Sequence, residues 1–208
     1  MPPVNFRLLL VTDRHQTQGR TLQSILRAAV SGGVSAIQLR ERDLPTAELL
    51  SLAQEIQAIT APRAVPLIMN DRVDLVLALG LDGIHLRANS LPVSAVRRLV
   101  GAHRLVGIST HSVEEVRRAN HDGADYVVYG PVFDTPSKRL FGPPVGLDAL
   151  TKVCRQSTIP VFAIGGMTSV RVRDVRRAGA YGVAVIGAIF AHDDVATATI
   201  ELLASLEV

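Results

Sequence analysis

An α/β fold, a single (β/α)8 TIM barrel spanning residues 1–208, is predicted by three observations on this chain. Eight short apolar segments each run into a segment of helical hydrophobic period. Polar and glycine residues gather just after the apolar segments. The units recur about every 25 residues, the length a βα unit needs, and barrels of this kind carry their chemistry at the carboxyl ends of the strands.

The strands are expected at Leu8–Thr12, Ala36–Arg40, Leu67–Asn70, Gly83–Leu86, Leu105–Ser109, Tyr126–Gly130, Val161–Gly165 and Val183–Gly187. Their near-continuous apolar character (Tyr126-Val127-Val128-Tyr129, Val183-Ala184-Val185-Ile186) fits parallel strands buried on both faces. Between them, Leu49, Leu52, Ala53, Ile56 and Ile59 repeat at helical spacing and should face the barrel. Ser112 and Glu115 form a capping box at the start of the fifth helix. Gly32-Gly33, Gly80, Gly123 and Gly179 stand where helices should end in the left-handed conformation. An open doubly wound sheet is the alternative fold, weakened by the even spacing and by the lack of a dinucleotide glycine pattern after the first strand. One connection is long: Pro131 to Val145, between the sixth strand and its helix, reads as a lid or binding loop, with a disordered insertion as the alternative.

Composition narrows the function. No apolar run approaches the ~20 residues of a membrane helix. Met1–Arg7 lacks a signal-peptide pattern, and the single cysteine, Cys154, precludes an internal disulfide, so a cytoplasmic protein is expected. The formal charge is +3, but the arginines fall in pairs on expected outer helices (Arg97-Arg98, Arg117-Arg118, Arg176-Arg177), where they read as solvated faces. Aromatics make up only 4% and Trp is absent, which argues against stacking on bases, so neither nucleic acid nor membrane is expected as a partner. A modest cation surplus suits phosphorylated small molecules. The oligomeric state, a homo-oligomer included, stays open.

The strand ends collect a coherent set. Gln38, Arg40 and Arg42 alternate onto one side of the second strand, where two guanidiniums could grip a diphosphate or simply be solvated at the rim. Asp71 could hold Mg2+ or cap the following helix, and the spacing favours the cap. Gly165-Gly166 and Gly187 sit after the seventh and eighth strands, where barrels often bind phosphate through backbone amides. Thr135, Ser137 and Lys138 on the long loop would make a second anion site. His85 and His111 could each be a general base or a hydrogen-bonded structural group. No His/Cys cluster has zinc spacing.

Taken in order, several segments resemble the thiamin-phosphate synthase family and its TenI-like thiazole tautomerase branch. They are Val11-Thr12-Asp13, Gln38-Leu39-Arg40-Glu41-Arg42, Ile68-Met69-Asn70-Asp71-Arg72-Val73-Asp74, Asp82-Gly83-Ile84-His85-Leu86, Gly107-Ile108-Ser109-Thr110-His111-Ser112, Gly130-Pro131-Val132-Phe133 and Pro160-Val161-Phe162-Ala163-Ile164-Gly165-Gly166-Met167. The resemblance covers roughly Leu8 to Ile189 and implies the same barrel. It implies a transferase joining a pyrimidine methyl diphosphate to a thiazole phosphate. Diphosphate leaves first, and the thiazole nitrogen captures the pyrimidine methyl cation. By the same resemblance, Gln38, Arg40, Arg42 and Asn70 match the pyrimidine diphosphate segment, Asp71 a magnesium ligand and Ser109 a diphosphate contact. Thr135, Ser137 and Lys138 match the thiazole-phosphate loop, and Gly165, Gly166, Ile186 and Gly187 the phosphate cradle.

Four positions depart from the family pattern. Arg87 replaces a glycine, and Ser90 replaces the second magnesium aspartate, which puts the Mg2+ cofactor in question. Arg42 replaces a lysine and Gly187 a serine. Arg87 could counter diphosphate charge in place of metal, or fill the pocket. The tautomerase branch tolerates loss of that aspartate but carries a histidine where this chain has Pro131, leaving His111 as a substitute base. Three readings follow: the synthase foremost, a thiazole phosphate tautomerase, and a catalytically silent thiazole-phosphate-binding regulator.

Overall fold

The structure of the protein, a computed structural model, describes residues 3–135 and 142–207. Its strands and helices alternate along the chain as β1 (Leu8–Val11), α1 (Leu22–Ser31), β2 (Ala36–Leu39), α2 (Thr46–Thr60), β3 (Leu67–Asn70), α3 (Val73–Leu79), β4 (Gly83–Leu86) and α4 (Val93–Val100). They continue as β5 (Leu105–Thr110), α5 (Val113–Asp122), β6 (Tyr126–Tyr129), α6 (Gly146–Gln156), β7 (Val161–Ile164), α7 (Ser169–Arg177), β8 (Gly182–Val185), α8 (Gly187–Phe190) and α9 (Val195–Leu206). The strands are parallel and paired in sequence order, and β1 closes on β8 with Leu8 opposite Val183. That closure rules out the open doubly wound sheet. All eight strands fall within two residues of their expected limits. The largest difference is at β8, which ends at Val185, so that Ile186 turns the chain and Gly187 opens α8.

Alternation sorts the strand side chains into two layers. Leu8, Leu10, Ile37, Leu39, Met69, Ile84 and Leu86 point outward into the core beneath the helices. Leu9, Val11, Ala36, Ile68, Tyr126, Val128, Phe162 and Ala184 fill the barrel interior together with Phe6. Three rings plug the lower barrel: Phe6 lies 5.7 Å from Tyr126 and 5.2 Å from Phe162, and Tyr126 lies 5.4 Å from Phe162. Gly107 makes room for them, since a Cβ there would sit 2.1 Å from Tyr126 Cζ.

The helix signals are largely met. Leu49, Ala53, Ile56 and Ile59 are buried under α2, with Leu52 at its margin. Ser112 Oγ accepts the Glu115 N–H (3.1 Å), while the Glu115 carboxylate accepts the His111 N–H (2.6 Å), one residue earlier than in a standard capping box. Of the Gly32-Gly33 pair only Gly33 is left-handed (φ +89°). Gly32 serves packing instead, because a Cβ would lie 2.6 Å from Ala196 O of α9.

The arginine pairs correct the expectation of purely solvated faces. Arg98, Arg117, Arg118 and Arg177 are exposed, but Arg97 reaches the Asp125 carboxylate (2.5 Å) and the carbonyls of Gly101, Arg104 and Gly123. Arg176 likewise bonds the carbonyls of Ala180 and Tyr181. Each pins its helix to loops at the amino-terminal end of the barrel, away from the strand tips.

Candidate active site

The interior positions continue past the strand tips and fix what faces the mouth. On β2 the interior series Ala36, Gln38 runs on to Arg40, and on β3 Ile68 leads to Asn70. On β4 His85 leads to Arg87, and on β5 Gly107 leads to Ser109. Their bonds link them. Gln38 Nε2 donates to Asn70 Oδ1 (3.1 Å), both buried. His85 Nε2 lies 2.9 Å from Ser109 Oγ, and its Nδ1 lies 3.2 Å from the Tyr126 hydroxyl. A continuous polar line therefore rises from the aromatic plug to the rim.

His85 is not a general base at this site. It is fully buried, and desolvation, followed by the charge of Arg40, lowers its pKa to about 3. A neutral ring held between two hydroxyls orients Ser109 rather than exchanging protons with a ligand. Tyr126, buried just below, has its pKa raised by desolvation and then by Asp125, so its hydroxyl is neutral as well. Neither Tyr126 nor Thr12, whose Oγ1 accepts the Arg40 N–H (2.9 Å), was singled out as a functional residue. Tyr126 lies in an apolar strand that reads as plain core, and only its alternation with Val128 points it inward.

Arg40 is half-buried at the mouth. Burial, then repulsion from Arg42, lowers its pKa, with Arg87 adding to the effect and Asp13 and Glu41 opposing it. A guanidinium keeps its charge in any such setting, so the mouth holds a partly desolvated cation crowded by others. Glu41, also buried, accepts the Arg14 N–H (3.2 Å to each oxygen) and so ties the β1 loop to the β2 loop. A cleft of about 200 Å³ opens beside Arg40, lined by Glu41, Arg42, Asn70, Asp71, Arg72 and Arg87 over a floor of leucines.

Asp71 corrects the capping expectation. The residue at the N-cap of α3 is Arg72, which makes no side-chain cap. Asp71 itself stands at φ +62°, a left-handed conformation that Asp tolerates, with its N–H on the His85 carbonyl (3.0 Å). Its carboxylate is turned to the β4 loop. Oδ2 receives Arg87 Nε (2.6 Å) and Nη2 (2.5 Å), and Oδ1 receives the Ser90 hydroxyl. Ser90 Oγ in turn accepts the Arg87 N–H (3.0 Å). Arg87 is therefore ion-paired to Asp71 and lines the cleft with its side chain part-exposed.

The opposite side of the mouth is built by the long loop. Val132 N–H reaches Ile164 O (2.8 Å), Phe133 N–H reaches Gly165 O, and Val145 N–H reaches Pro131 O. Gly165 (φ +100°) and Gly166 (φ +64°) make this possible: a Cβ would lie 2.6 Å from Pro131 at the first and 2.7 Å from Asp134 O at the second. The glycine pair therefore seats the loop as well as shaping the turn. Arg171 clamps it, with Nη1 on Gly166 O (2.7 Å) and its guanidinium 4.8 Å over the Phe133 ring. At Gly187 a Cβ would meet, among the described residues, only Gln16 Oε1 at 3.6 Å, an ordinary contact, beside half-buried Ile186. His111 is exposed. Its Nδ1 lies 2.6 Å from Gly130 O, and since a carbonyl only accepts, Nδ1 carries the proton. Thr135 is half-buried at the edge of the described loop, and Ser137 and Lys138 lie outside the described residues.

A model of the family described as thiamine monophosphate synthase matches residues 8–189. The chain belongs to the thiamine monophosphate synthase family. Among relatives of that family, it is 44% identical to a putative thiamine-phosphate synthase of Geobacter sulfurreducens, covering 93% of this chain and 91% of that one. It is 41% identical to the thiamine-phosphate synthase of Chloroflexus aurantiacus, covering 99% and 94%. The solved thiamine phosphate pyrophosphorylase from Pyrococcus furiosus superposes with a TM-score of 0.88 at 33% identity, over 97% of this chain and 96% of that one. A 3-hexulose-6-phosphate synthase at 19% identity and TM-score 0.74 shares the barrel alone.

Within the family pattern, the structure gathers Gln38, Arg40, Asn70, Asp71, Arg87, Ser90 and Ser109 along the tips of β2 to β5. Arg42 lines the adjoining cleft, and Gly165, Gly166, Ile186 and Gly187 follow β7 and β8. The donor set around Asp71 does not fit a Mg2+ ion shared between carboxylates. Such an ion takes several hard oxygens in near-octahedral array. Here both oxygens of Asp71 are engaged, and the neighbouring ligand position is a neutral hydroxyl that donates its own proton to Asp71. Among the described residues no three His, Cys, Asp or Glu side chains cluster as a metal site, and no helix is long and apolar enough to cross a membrane.

Proposed function

We propose that this chain is a transferase that joins a pyrimidine methyl diphosphate to a thiazole phosphate, forming thiamin phosphate and releasing diphosphate. The observation that carries this reading is the row of Arg40, the bonded pair Asn70–Gln38 and the bonded pair Ser109–His85, set on the consecutive tips of β2 to β5 in a chain of the synthase family.

The chemistry follows from charge. The pyrimidine methylene–oxygen bond breaks, both electrons go to the diphosphate, and a pyrimidine methyl cation remains. The thiazole ring nitrogen then donates its lone pair to that carbon. Negative charge grows on the diphosphate as the bond breaks, so fixed cations beside it lower the barrier. Thr12 pins the Arg40 backbone through its N–H, and the Arg40 guanidinium is half-desolvated, where its charge is less screened than in water. Arg42 adds a second cation from the cleft. Ser109, oriented by neutral His85, and Asn70, oriented by Gln38, offer hydrogen bonds of fixed direction. The thiazole phosphate is assigned to the opposite side of the mouth, at the Gly165-Gly166 turn and the Ile186-Gly187 turn together with Thr135, with Ser137 and Lys138 as the further contacts that the family resemblance implies. Mg2+, expected from the resemblance, enters no step here. A cytoplasmic location belongs to the same proposal: both substrates are charged phosphate esters, confined to the compartment that makes them.

The direct test is incubation of purified protein with both substrates and detection of thiamin phosphate. Formation of product supports the reading, and none at high enzyme concentration refutes it. The tautomerase finds no acid–base group at Pro131, and the relatives compared above carry the synthase name. Absence of ring-proton exchange with the thiazole tautomer would dispose of it. Tight thiazole-phosphate binding without turnover would instead mark a silent binder.

A further inference from the structure

We propose that Arg87 supplies from the protein itself the cation that bridges Asp71 to a diphosphate. This rests on the transferase reading and assigns the charge in its leaving-group site.

The geometry of the guanidinium is the ground for it. Arg87 meets Asp71 Oδ2 edge-on, through Nε at 2.6 Å and Nη2 at 2.5 Å. A guanidinium has five N–H groups in a planar fork, and this contact uses two of them. Both N–H groups of Nη1 and one of Nη2 remain on the edge facing away from Asp71, with no acceptor among the described residues. They belong to a side chain that lines the same cleft as Arg42 and Asn70. A carboxylate on one edge and open donors on the other is the arrangement of a bridging ion, built from a side chain.

Two features hold the bridge in place, and a third leaves it accessible. Asp71 is fixed by its left-handed backbone and by its N–H on His85 O. Ser90 closes the loop by giving its hydroxyl to Asp71 and accepting the Arg87 N–H, a role that a carboxylate at position 90 could not fill beside Asp71. Arg87 is 44% exposed in its side chain, so ligand oxygens can reach it. The two departures from the family pattern are thus one change: the arginine brings the positive charge, and the serine removes the negative charge that a metal would have balanced. Asp71 keeps its place because it aims the cation.

The test uses inorganic diphosphate as probe, titrated calorimetrically into the purified protein in EDTA. Wild type is expected to bind without divalent metal. Arg87→Ala should weaken that binding about ten- to a hundredfold, the size of a lost charge-assisted hydrogen bond. The Arg87→Gly/Ser90→Asp double variant should bind diphosphate only with added Mg2+ and should immobilise Mn2+ in an EPR titration. Wild type should leave Mn2+ free. Diphosphate binding by wild type that requires Mg2+, bound Mn2+ on wild type without diphosphate, or unchanged binding in Arg87→Ala would each overturn the proposal. Thiamin phosphate formation separates the two levels. Product made only with Mg2+ refutes the bridge and leaves the transferase, whereas EDTA-resistant, Arg87-dependent diphosphate binding without product supports the bridge and refutes the transferase.

Discussion

Acid should destabilise this barrel through His85. The ring is buried between Ser109 and Tyr126, and its pKa falls from 6.5 to about 3 on folding. Between those values the unfolded chain binds a proton that the folded chain refuses, so stability is complete above about pH 6.5 and declines as pH falls. At pH 4.5 the loss spans about two pH units, or on the order of 3 kcal/mol, from this one residue. For a chain of this size that is a drop of roughly 5–11 °C in Tm. The acidic groups with lowered pKa values, Asp43, Asp74 and Asp194, lose their contributions only as pH falls through and below the ordinary 3.8, outside most of this window. The comparison is thermal melting of wild type and His85→Gln at pH 7.5 and pH 4.5. The amide keeps a donor and an acceptor but does not titrate. It should cost about 1–3 kcal/mol at pH 7.5 through imperfect pairing, and its Tm should fall less between the two pH values, by most of the 5–11 °C. Equal falls in the two proteins would refute the reasoning, because His85 would then not be the group that takes up the proton on unfolding.

Arg40→Ala should lower kcat for thiamin phosphate formation by about 10²–10³, the range for removing one preorganised charge stabiliser, while the melting temperature changes little; steady-state kinetics and a melt check both. Asp125→Asn should cost about 3–5 kcal/mol, because it leaves Arg97 without its charge partner and weakens the acceptor of the Val106 N–H (2.7 Å); urea titration reads this, and a loss below about 1 kcal/mol would mean that the carbonyls around Arg97 suffice. Gly107→Ala should cost at least about 1–3 kcal/mol, since its methyl must displace the Tyr126 ring. The Tyr126–His85–Ser109 line would move with that ring, so KM for the diphosphate substrate should rise in any Gly107→Ala protein that folds.

Much of this protein was legible because it rests on local rules. Strand alternation is a property of the extended backbone, so Gln38, Arg40 and Arg42 could be placed on one side of β2 from the sequence, while Asn70 and Ser109 could be placed at strand ends. The capping of α5 by Ser112 and the left-handed turns at Gly80 and Gly123 are equally local. The environment of His85 was not legible: its neutrality comes from burial in the closed barrel and then from the charge of Arg40, while its ring partner Tyr126 lies 41 residues away. Nor was the role of Arg97, which looks like its exposed neighbour Arg98 until the fold brings Asp125 beneath it.

The sequence by itself determined the barrel and the limits of its eight strands, and so which residues stand at the strand ends, since backbone period and hydrophobic pattern act over a few residues. Tertiary structure decided whether those side chains are free or engaged. Asp71 reads locally as a helix cap, and only the closure of β3 against β4 brings Arg87 and Ser90 to its carboxylate, 16 and 19 residues along the chain. Electrostatic pairing depends on distance in space, which strand closure sets and spacing in the chain does not.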